Sequence, residues 1–314
     1  MDVQRFVEAR NKVVGAVSRV IVGKEETIEK VFISFICSGH VLLEDVPGTG
    51  KTMLLRAFAR TIGGSFSRVQ FTPDLLPSDL TGINFFNPQE SRFQFRKGPL
   101  FADVVLADEI NRATPRTQSA LLEAMEEKQI SVDGETYALG DRFMVMATQN
   151  PIESYGTFPL PEAQVDRFFM RLSLGYMTRA QELEVLRRRR TTEILQEVEP
   201  VLTLEEIQRL REEYRGVRVS DDVGDYLMDL VERTRSDTFA VGVSTRGAIA
   251  LYSAAQANAA LSGRDYVLPE DIRRMAPAVL AHRITAGAGM KRQDAEARLM
   301  DLIDQIPVPT ERLS

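Results

Sequence analysis

The stretch EDVPGTGKT, residues 44–52, decides the fold class that this sequence predicts. It fits the phosphate-loop pattern G-x-x-x-x-G-K-[ST] at every fixed position except the first glycine, which is Asp45. The residues before it, HVLLE (40–44), form an apolar run that predicts a buried strand, and those after it, KTMLLRAFARTIGG (51–64), predict a helix that ends at a glycine pair. A strand, a glycine-rich turn and a helix in this order indicate a unit of a layered α/β domain.

The residue types of this turn are those of an anion-binding loop. Gly48 and Gly50 let backbone amides approach an anion closely, and the helix N-terminus that follows favours negative charge. Lys51 is expected to reach the β- and γ-phosphates of a nucleotide, and Thr52 to supply a hydroxyl to Mg²⁺. The requirement at the first glycine position is mainly conformational, and Asp tolerates unusual backbone angles. Among the positions of the loop, we therefore expect Asp45 to be the one whose replacement by glycine changes ATP binding least.

Two further apolar runs, DVVLAD (103–108) and RFMVMAT (142–148), predict buried strands of the same parallel sheet. The first delivers Asp108 and Glu109 to its carboxyl end, where open α/β sheets bind ligands. This pair suits ATP hydrolysis, because Asp108 could hold the Mg²⁺ shell while Glu109 orients and polarises the attacking water. Asn150 follows the second run, and its amide could fix the same water or contact the γ-phosphate.

The chain is predicted to divide into an α/β nucleotide-binding core at residues 1–178, a connecting segment at 179–200 and a small helical lid domain at 201–314. After about residue 200 only helical patterns remain. Two segments of the core, 81–98 and 129–139, carry alternating apolar residues around turn signals and predict β-hairpins. The predicted fold class is therefore α/β, with a parallel sheet, two hairpin inserts and a helical lid.

Composition excludes several other classes of protein. The net charge of -6 gives no general attraction to nucleic acid, and the best apolar stretch is too short and too interrupted to span a bilayer. The single Cys37 rules out an internal disulfide, and His40 and His282 are too far apart in sequence, without partner cysteines, to indicate a zinc site. No secretory signal pattern begins the sequence, so we expect a cytoplasmic protein without membrane insertion and without a nucleic-acid partner.

Five motifs in one order resemble those of a known family. VPGTGKT, VVLADEINRA, ATQNP, PEAQVDRF and STRGAIAL are similar to the motifs of AAA+ ATPases, and specifically of the MoxR subfamily. The resemblance covers nearly the whole chain, from VIVGKEE near residue 20 to the helices around residue 280. It also accounts for both hairpins, which correspond to the helix-2 insert of the family and to its hairpin before the first sensor strand.

The resemblance implies a role for each matching residue. The Walker A residues that would bind ATP are Pro47, Gly48, Thr49, Gly50, Lys51, Thr52 and Met53. Asp108 and Glu109 correspond to Walker B, and Thr52 and Asp108 would hold Mg²⁺. Val22 and Gly23 match the segment that lines the adenine pocket. Asn150 falls on the first sensor, Arg167 on the arginine finger that acts on a neighbouring subunit, and Arg246 on the second sensor, with Arg112 as a rival trans-acting arginine.

The family further implies ATP hydrolysis in a homo-oligomeric ring, expected to be a hexamer. Such a ring would remodel or activate a protein client, in a chaperone-like manner, and the client class could include proteins with a von Willebrand factor A domain. Two alternatives stay open: the motor subunit of a metal-chelatase-type complex, and a nucleotide-dependent scaffold with little turnover. A nucleic-acid motor and a GTPase are disfavoured, because neither a basic, aromatic-interleaved stripe nor an N-K-x-D motif occurs.

Overall fold

A computed structural model describes residues 2–45, 48–149, 156–188, 191–236, 239–286 and 292–309 of the chain. Its helices are α1 Val3–Ser18, α2 Glu25–Ile36, α3 Lys51–Thr61, α4 Pro77–Thr81, α5 Pro115–Glu127, α6 Glu162–Val165, α7 Arg179–Arg188, α8 Thr191–Gln196, α9 Leu204–Glu213, α10 Asp221–Thr234, α11 Thr245–Leu261, α12 Pro269–Leu280 and α13 Arg292–Gln305. Its strands are β1 Val41–Glu44, β2 Phe66–Gln70, β3 Gly82–Asn87, β4 Arg92–Lys97, β5 Val104–Asp108, β6 Gln129–Val132, β7 Glu135–Ala138, β8 Met144–Gln149, β9 Met170–Leu172, β10 Phe239–Val241 and β11 Thr285–Ala286.

The core is built on a five-stranded sheet with the order β2-β5-β8-β1-β9, and all of its neighbouring strands are parallel. The three strands that the sequence predicts, β1, β5 and β8, are the three central ones, and their apolar side chains are buried. The sequence patterns did not reveal the two edge strands, β2 and β9. The predicted α/β class with a parallel sheet is confirmed.

Both predicted hairpins are present in the core. β3 pairs with β4, and β6 pairs with β7, each antiparallel and each within its predicted segment. The two hairpins also contact each other, because the ring of Phe95 on β4 stacks on the ring of Tyr137 on β7 with their centroids 4.2 Å apart. The hairpins therefore form one aromatic surface beside the sheet.

The predicted helical module after residue 200 consists of α9 to α13. The capping box predicted for α9 is formed, since the Thr203 hydroxyl accepts a hydrogen bond from the Glu206 amide and the Glu206 carboxylate accepts one from the Thr203 amide. The structure adds a short antiparallel pair, β10 with β11. Strands of two and three residues are too short to produce a periodic sequence pattern. None of the helices in the described residues is long and apolar enough to cross a membrane.

The helical module is attached to the core by a buried cluster at the end of α12. The guanidinium of Arg283 donates to the carboxylate of Asp166 at 2.8 Å and to the backbone carbonyl oxygens of Asp166, Phe168 and Phe169. The adjacent His282 donates from Nε2 to the same Phe168 oxygen at 2.9 Å. Burial lowers the pKa of Arg283 to about 10, and Asp166 opposes this shift, so the guanidinium stays charged at neutral pH.

The buried His40, next to the start of β1, forms hydrogen bonds to β8 and to α5. Its Nδ1 accepts a hydrogen bond from the Val145 amide at 2.9 Å, so Nε2 carries the proton and donates it to the Met125 carbonyl oxygen at 3.0 Å. Burial lowers the pKa of His40 to about 4, with a smaller opposing effect of the Met125 carbonyl. A second proton on Nδ1 would break the contact with Val145. Both histidines therefore serve the packing of the core.

The state of His40 gives a prediction about stability and pH. Because its pKa falls from 6.5 to about 4 on folding, the unfolded chain binds the extra proton first. Stability should be full above pH 6.5 and should fall as the pH drops toward 4, by up to about 3 kcal/mol from this group alone. We expect the difference in urea midpoint between wild type and His40→Gln, measured at pH 7.5, 6 and 5, to shrink as the pH falls. A difference that stays constant over this range would contradict the assignment.

Candidate nucleotide-binding site

A cavity of about 380 Å³ opens at the carboxyl ends of the central strands. It is bounded on one side by the loop between β1 and α3, and on the other by the ends of β2, β5 and β8. The residues predicted from the sequence that line it are Gly48, Gly50, Lys51, Thr52, Met53, Asp108 and Glu109. The structure thus brings both halves of the predicted site to one cavity.

The backbone of the loop requires its two glycines. Gly48 and Gly50 have φ angles of +85° and +93°, in the left-handed region that residues with a side chain rarely adopt. Gly50 caps α3, so the helix begins at Lys51 with its first amides turned toward the cavity. The Lys51 Nζ donates a hydrogen bond to the Asp45 carbonyl oxygen at 3.1 Å. A loop of this form offers backbone donors and one cation to an anion.

Asp45 has a different role from the one its sequence position suggests. Its carboxylate is buried, at 6% exposure, and accepts three hydrogen bonds from the chain after β9. The donors are the Ser173 hydroxyl at 2.7 Å, the Leu174 amide at 2.7 Å and the Gly175 amide at 2.9 Å. The side chain therefore turns away from the phosphate side, as a working loop needs. These bonds anchor the loop to the segment that leads to α7. That replacing Asp45 by glycine changes ATP binding least stays a prediction.

The two acids that follow β5 are held by hydrogen bonds from β8. The Thr148 hydroxyl donates to Asp108 Oδ1 at 2.7 Å and accepts from the Glu109 amide at 2.8 Å. Glu109 itself has a φ of +57°, which is uncommon for a residue other than glycine and typical of a functional position. One buried threonine thus sets the position of both acids, and the sequence analysis had not identified it.

Two residues of the edge strand β2 also contact these acids. Arg68 lies 2.6 Å from Asp108 Oδ2 through its Nη2 atom, and the Gln70 side-chain amide donates to Glu109 Oε2 at 2.7 Å. The backbone register explains the contact, because Gln70 is the direct partner of Asp108 across the two strands. Neither residue was predicted from the sequence, because β2 was not predicted. A short segment after a helix that stops at two glycines is the signal that could have indicated a strand there.

The predicted arginines have different partners. Arg112, the rival trans-acting residue, pairs with Glu109 in the cavity at 3.0 Å. Arg167 and Arg246 do not line the cavity; both pair with Glu126 at the end of α5, at 2.9 and 2.5 Å. Arg167 had the alternative of pairing with Asp166 or Glu162, but its ion pair is with Glu126. The structure therefore groups the two predicted arginines with each other and away from the phosphate loop.

The segment predicted to line the adenine pocket lies against the chain after β9. Gln181 on α7 donates to the Gly23 carbonyl oxygen at 3.3 Å, and Lys24 Nζ donates to the carbonyl oxygens of Leu174 and Tyr176. A side-chain carbon at position 23 would overlap the end of the Gln181 side chain, and the φ of +69° lies in the left-handed region that favours glycine. Val22 and Gly23 do not line the 380 Å³ cavity; Lys24 and Asp45 hold the same short segment from two sides. Thr49 is buried within the loop.

Two of the predicted residues, Pro47 and Asn150, lie outside the described residues. Two predicted metal-binding side chains are described, and their chemistry can be compared with what Mg²⁺ requires. The Thr52 hydroxyl and the Asp108 carboxylate line one cavity, and hydroxyl and carboxylate oxygens are ligands that Mg²⁺ prefers. These side chains fit a magnesium ion bound together with nucleotide phosphates.

The class of protein follows from comparison with known families. Residues 40–170 match the ATPase family associated with various cellular activities (AAA), and residues 232–302 match the AAA lid domain. The first match contains the phosphate loop and the two acids after β5, and the second contains most of α11 to α13. The fold is thus that of an AAA-type ATPase domain followed by its lid.

Relatives and a solved structure narrow the class. The chain is 47% identical over 304 residues to the uncharacterized protein YeaC of Bacillus subtilis, covering 96% of this chain and 95% of that one. It is 39% identical over 288 residues to the chaperone MoxR1 of Mycobacterium tuberculosis, covering 88% and 76% of the two chains. The crystal structure of a presumed ATPase from Cytophaga hutchinsonii aligns with a TM-score of 0.88 at 38% identity, over 98% of both chains. The chain belongs to the MoxR subfamily of AAA+ ATPases.

The anchoring role of Asp45 can be tested by stability. Asp45→Ala removes the acceptor for two backbone amides and a hydroxyl, so the melting temperature should fall by roughly 3–6 °C. Asp45→Asn keeps one accepting oxygen, so its melting temperature should lie between those of wild type and Asp45→Ala. The matched control is Asp74→Ala, since Asp74 is exposed. An Asp45→Ala protein that melts with the control would show that the three hydrogen bonds contribute nothing.

Proposed function

We propose that this protein hydrolyses ATP in an oligomeric ring and uses the cycle to remodel or activate a protein client. One observation carries the proposal: a lysine, a hydroxyl and two carboxylates converge on one cavity at the carboxyl edge of a parallel sheet. That set supplies the groups that phosphoryl transfer to water needs, namely charge neutralisation, a metal site and a residue that orients the nucleophile.

Each group has a distinct task in this mechanism. Backbone amides from Gly48 onward and the Lys51 ammonium bind the phosphates and place the γ-phosphate in the cavity. Thr52 and Asp108 would hold Mg²⁺, which would neutralise part of the phosphate charge. Glu109 orients the attacking water and accepts its proton. Its contacts with Gln70 and Arg112 at 2.7 and 3.0 Å keep the carboxylate in the cavity until a water takes their place.

The arginines support a shared active site between subunits. A loose transition state spreads negative charge over the γ-phosphate, and an arginine that meets this charge is worth ~10³–10⁵ in rate. Arg167 pairs with Glu126 and not with a group of its own chain's cavity, which favours action on a neighbour's ATP. Arg246 shares this partner and keeps its proposed role as the second sensor, which would report the nucleotide state to the helical module. Arg112 stays a rival, because its guanidinium is already near Glu109.

The client side of the proposal rests on similarity. MoxR1 of Mycobacterium tuberculosis is named a chaperone, and the identity of 39% over most of both chains supports the same kind of work here. A ring, and a client with a von Willebrand factor A domain, come from the resemblance to the MoxR subfamily. Movement of the helical module against the core during the cycle would transmit the nucleotide state to the client.

Two variants test the catalytic assignment. Lys51→Ala should abolish nucleotide binding, because the loop loses its only side-chain cation toward the phosphates. Glu109→Gln should bind ATP as wild type does and lose roughly 10²–10⁴-fold in turnover, since the amide cannot accept the proton. Binding is measured with a fluorescent ATP analogue and turnover by phosphate release, with the exposed Glu123→Gln as the matched control.

Two results would contradict this proposal. Turnover of Glu109→Gln at the wild-type rate would remove Glu109 from the mechanism. Wild-type protein that binds the analogue but releases no phosphate, alone or with clients, would favour the nucleotide-dependent scaffold.

Mixed rings test the action of Arg167 on a neighbour. Rings of Arg167→Ala alone and of Lys51→Ala alone should be inactive, for lack of the arginine and of bound ATP respectively. An equal mixture of the two variants should recover roughly a quarter of wild-type turnover. In a random head-to-tail ring, roughly that share of interfaces joins the intact pocket of an Arg167→Ala subunit to the intact arginine of a Lys51→Ala subunit. Arg209→Ala, an exposed arginine on α9, serves as the control partner. A mixture no more active than its two components would refute action in trans, and recovery with Arg112→Ala in place of Arg167→Ala would identify Arg112 as the trans-acting residue.

A further inference from the structure

Arg68 binds the carboxylate of Asp108, the residue proposed to hold Mg²⁺. Two nitrogens of its guanidinium converge on one oxygen of Asp108, Nη2 at 2.6 Å and Nε at 3.1 Å from Oδ2. The other oxygen, Oδ1, accepts the hydrogen bond of Thr148 at 2.7 Å. Both oxygens of the residue proposed to hold Mg²⁺ are therefore engaged, one by a neutral hydroxyl and one by a cation.

The position of this cation follows from electrostatics. Asp108 and Glu109 are adjacent acids, with side-chain exposures of 14% and 25%, and two carboxylates held this close repel each other unless cations or donors offset them. Arg68 and Gln70 supply that compensation from β2, one to each acid. A guanidinium with two nitrogens on one oxygen fixes the direction of such a contact.

We propose that Arg68 is a stand-in cation for Mg²⁺: it holds Asp108 while the cavity is empty and is displaced from Oδ2 when the metal enters with nucleotide. This inference rests on the proposed function, since it needs a magnesium site at Thr52 and Asp108. It adds a residue that sets how much Mg²⁺ the site requires. Arg68 is a positioning residue in this role, because it acts through Asp108 and not on ATP.

The surroundings of Arg68 allow the displacement. Its side chain is 46% exposed, so the guanidinium can move without opening the core. Its Nη2 atom already lies 3.4 Å from Gln70 Oε1, which gives the displaced cation an acceptor on its own strand. The ion pair is also of modest strength, because a half-exposed arginine is screened by water. A divalent ion with phosphate ligands can therefore replace it.

The test measures how much Mg²⁺ is needed to bind a nucleotide. A fluorescent, non-hydrolysable ATP analogue is held at fixed concentration, and Mg²⁺ is titrated from a chelated start. Arg68→Gln should lower the half-saturating Mg²⁺ concentration by roughly fivefold, the effect expected when one partly exposed ion pair no longer competes. Arg68→Lys keeps a cation on the carboxylate and should stay within about twofold of wild type.

The matched control separates displacement from a general change of charge. Arg112→Gln removes one positive charge beside the same pair of acids, but its partner is Glu109 and not Asp108, so the midpoint should shift much less. An equal shift in Arg112→Gln would overturn the inference, and so would an unchanged or higher midpoint in Arg68→Gln. A loss of analogue affinity at saturating Mg²⁺ without a shift would make Arg68 a phosphate ligand instead. If wild type binds no analogue at any Mg²⁺ concentration, the proposed function itself fails.

Discussion

The register of the parallel sheet is the constraint on which the site depends. Glu44 pairs with Gln149 and Gln70 pairs with Asp108, so β1, β2, β5 and β8 end at one level. Because side chains alternate between the two faces of a strand, a slip of one residue would turn Asp108 away from the phosphate loop. The buried apolar residues of the central strands resist such a slip, since it would expose them. The packing that keeps these apolar residues buried therefore also keeps the proposed catalytic groups in place.

The edge strand β9 joins the nucleotide loop to the helical module. Just before it, the backbone of Asp166 to Phe169 accepts the hydrogen bonds of Arg283 and His282 from the end of α12. Just after it, Ser173 to Gly175 donate to the carboxylate of Asp45. The nucleotide loop and the helical module are thus attached to the two ends of one three-residue strand. Arg167 lies on the same stretch, so the lid and the proposed arginine finger are attached to one segment.

What the sequence could predict follows from how deeply each element is buried. The central strands are covered on both faces, so they appear as continuous apolar runs, and β1, β5 and β8 were all predicted. The edge strand β2 is partly exposed and carries Arg68 and Gln70, which breaks the apolar pattern. The edge strand β9 is buried but has only three residues, with Arg171 at its centre, so it forms no apolar run. The catalytic candidates were visible because they sit in contiguous motifs. The roles of Thr148 and Arg68 and the anchoring contacts of Asp45 depend on partners 39 to 130 residues away. Such distant partners leave no mark on the local sequence.

Charged groups of the proposed nucleotide site and the proposed arginine finger and second sensor already have partners in this structure. Arg68 pairs with Asp108, Lys51 donates to the Asp45 carbonyl oxygen, and Arg167 and Arg246 share Glu126. Nucleotide binding is then an exchange of partners, so its free energy is the difference between two sets of contacts and not the sum of the new ones. The same holds for release, because each residue has a contact to return to. A site organised in this way can pass repeatedly between bound and empty states, since neither state leaves these charges unpaired, and this property suits a protein whose work is a cycle.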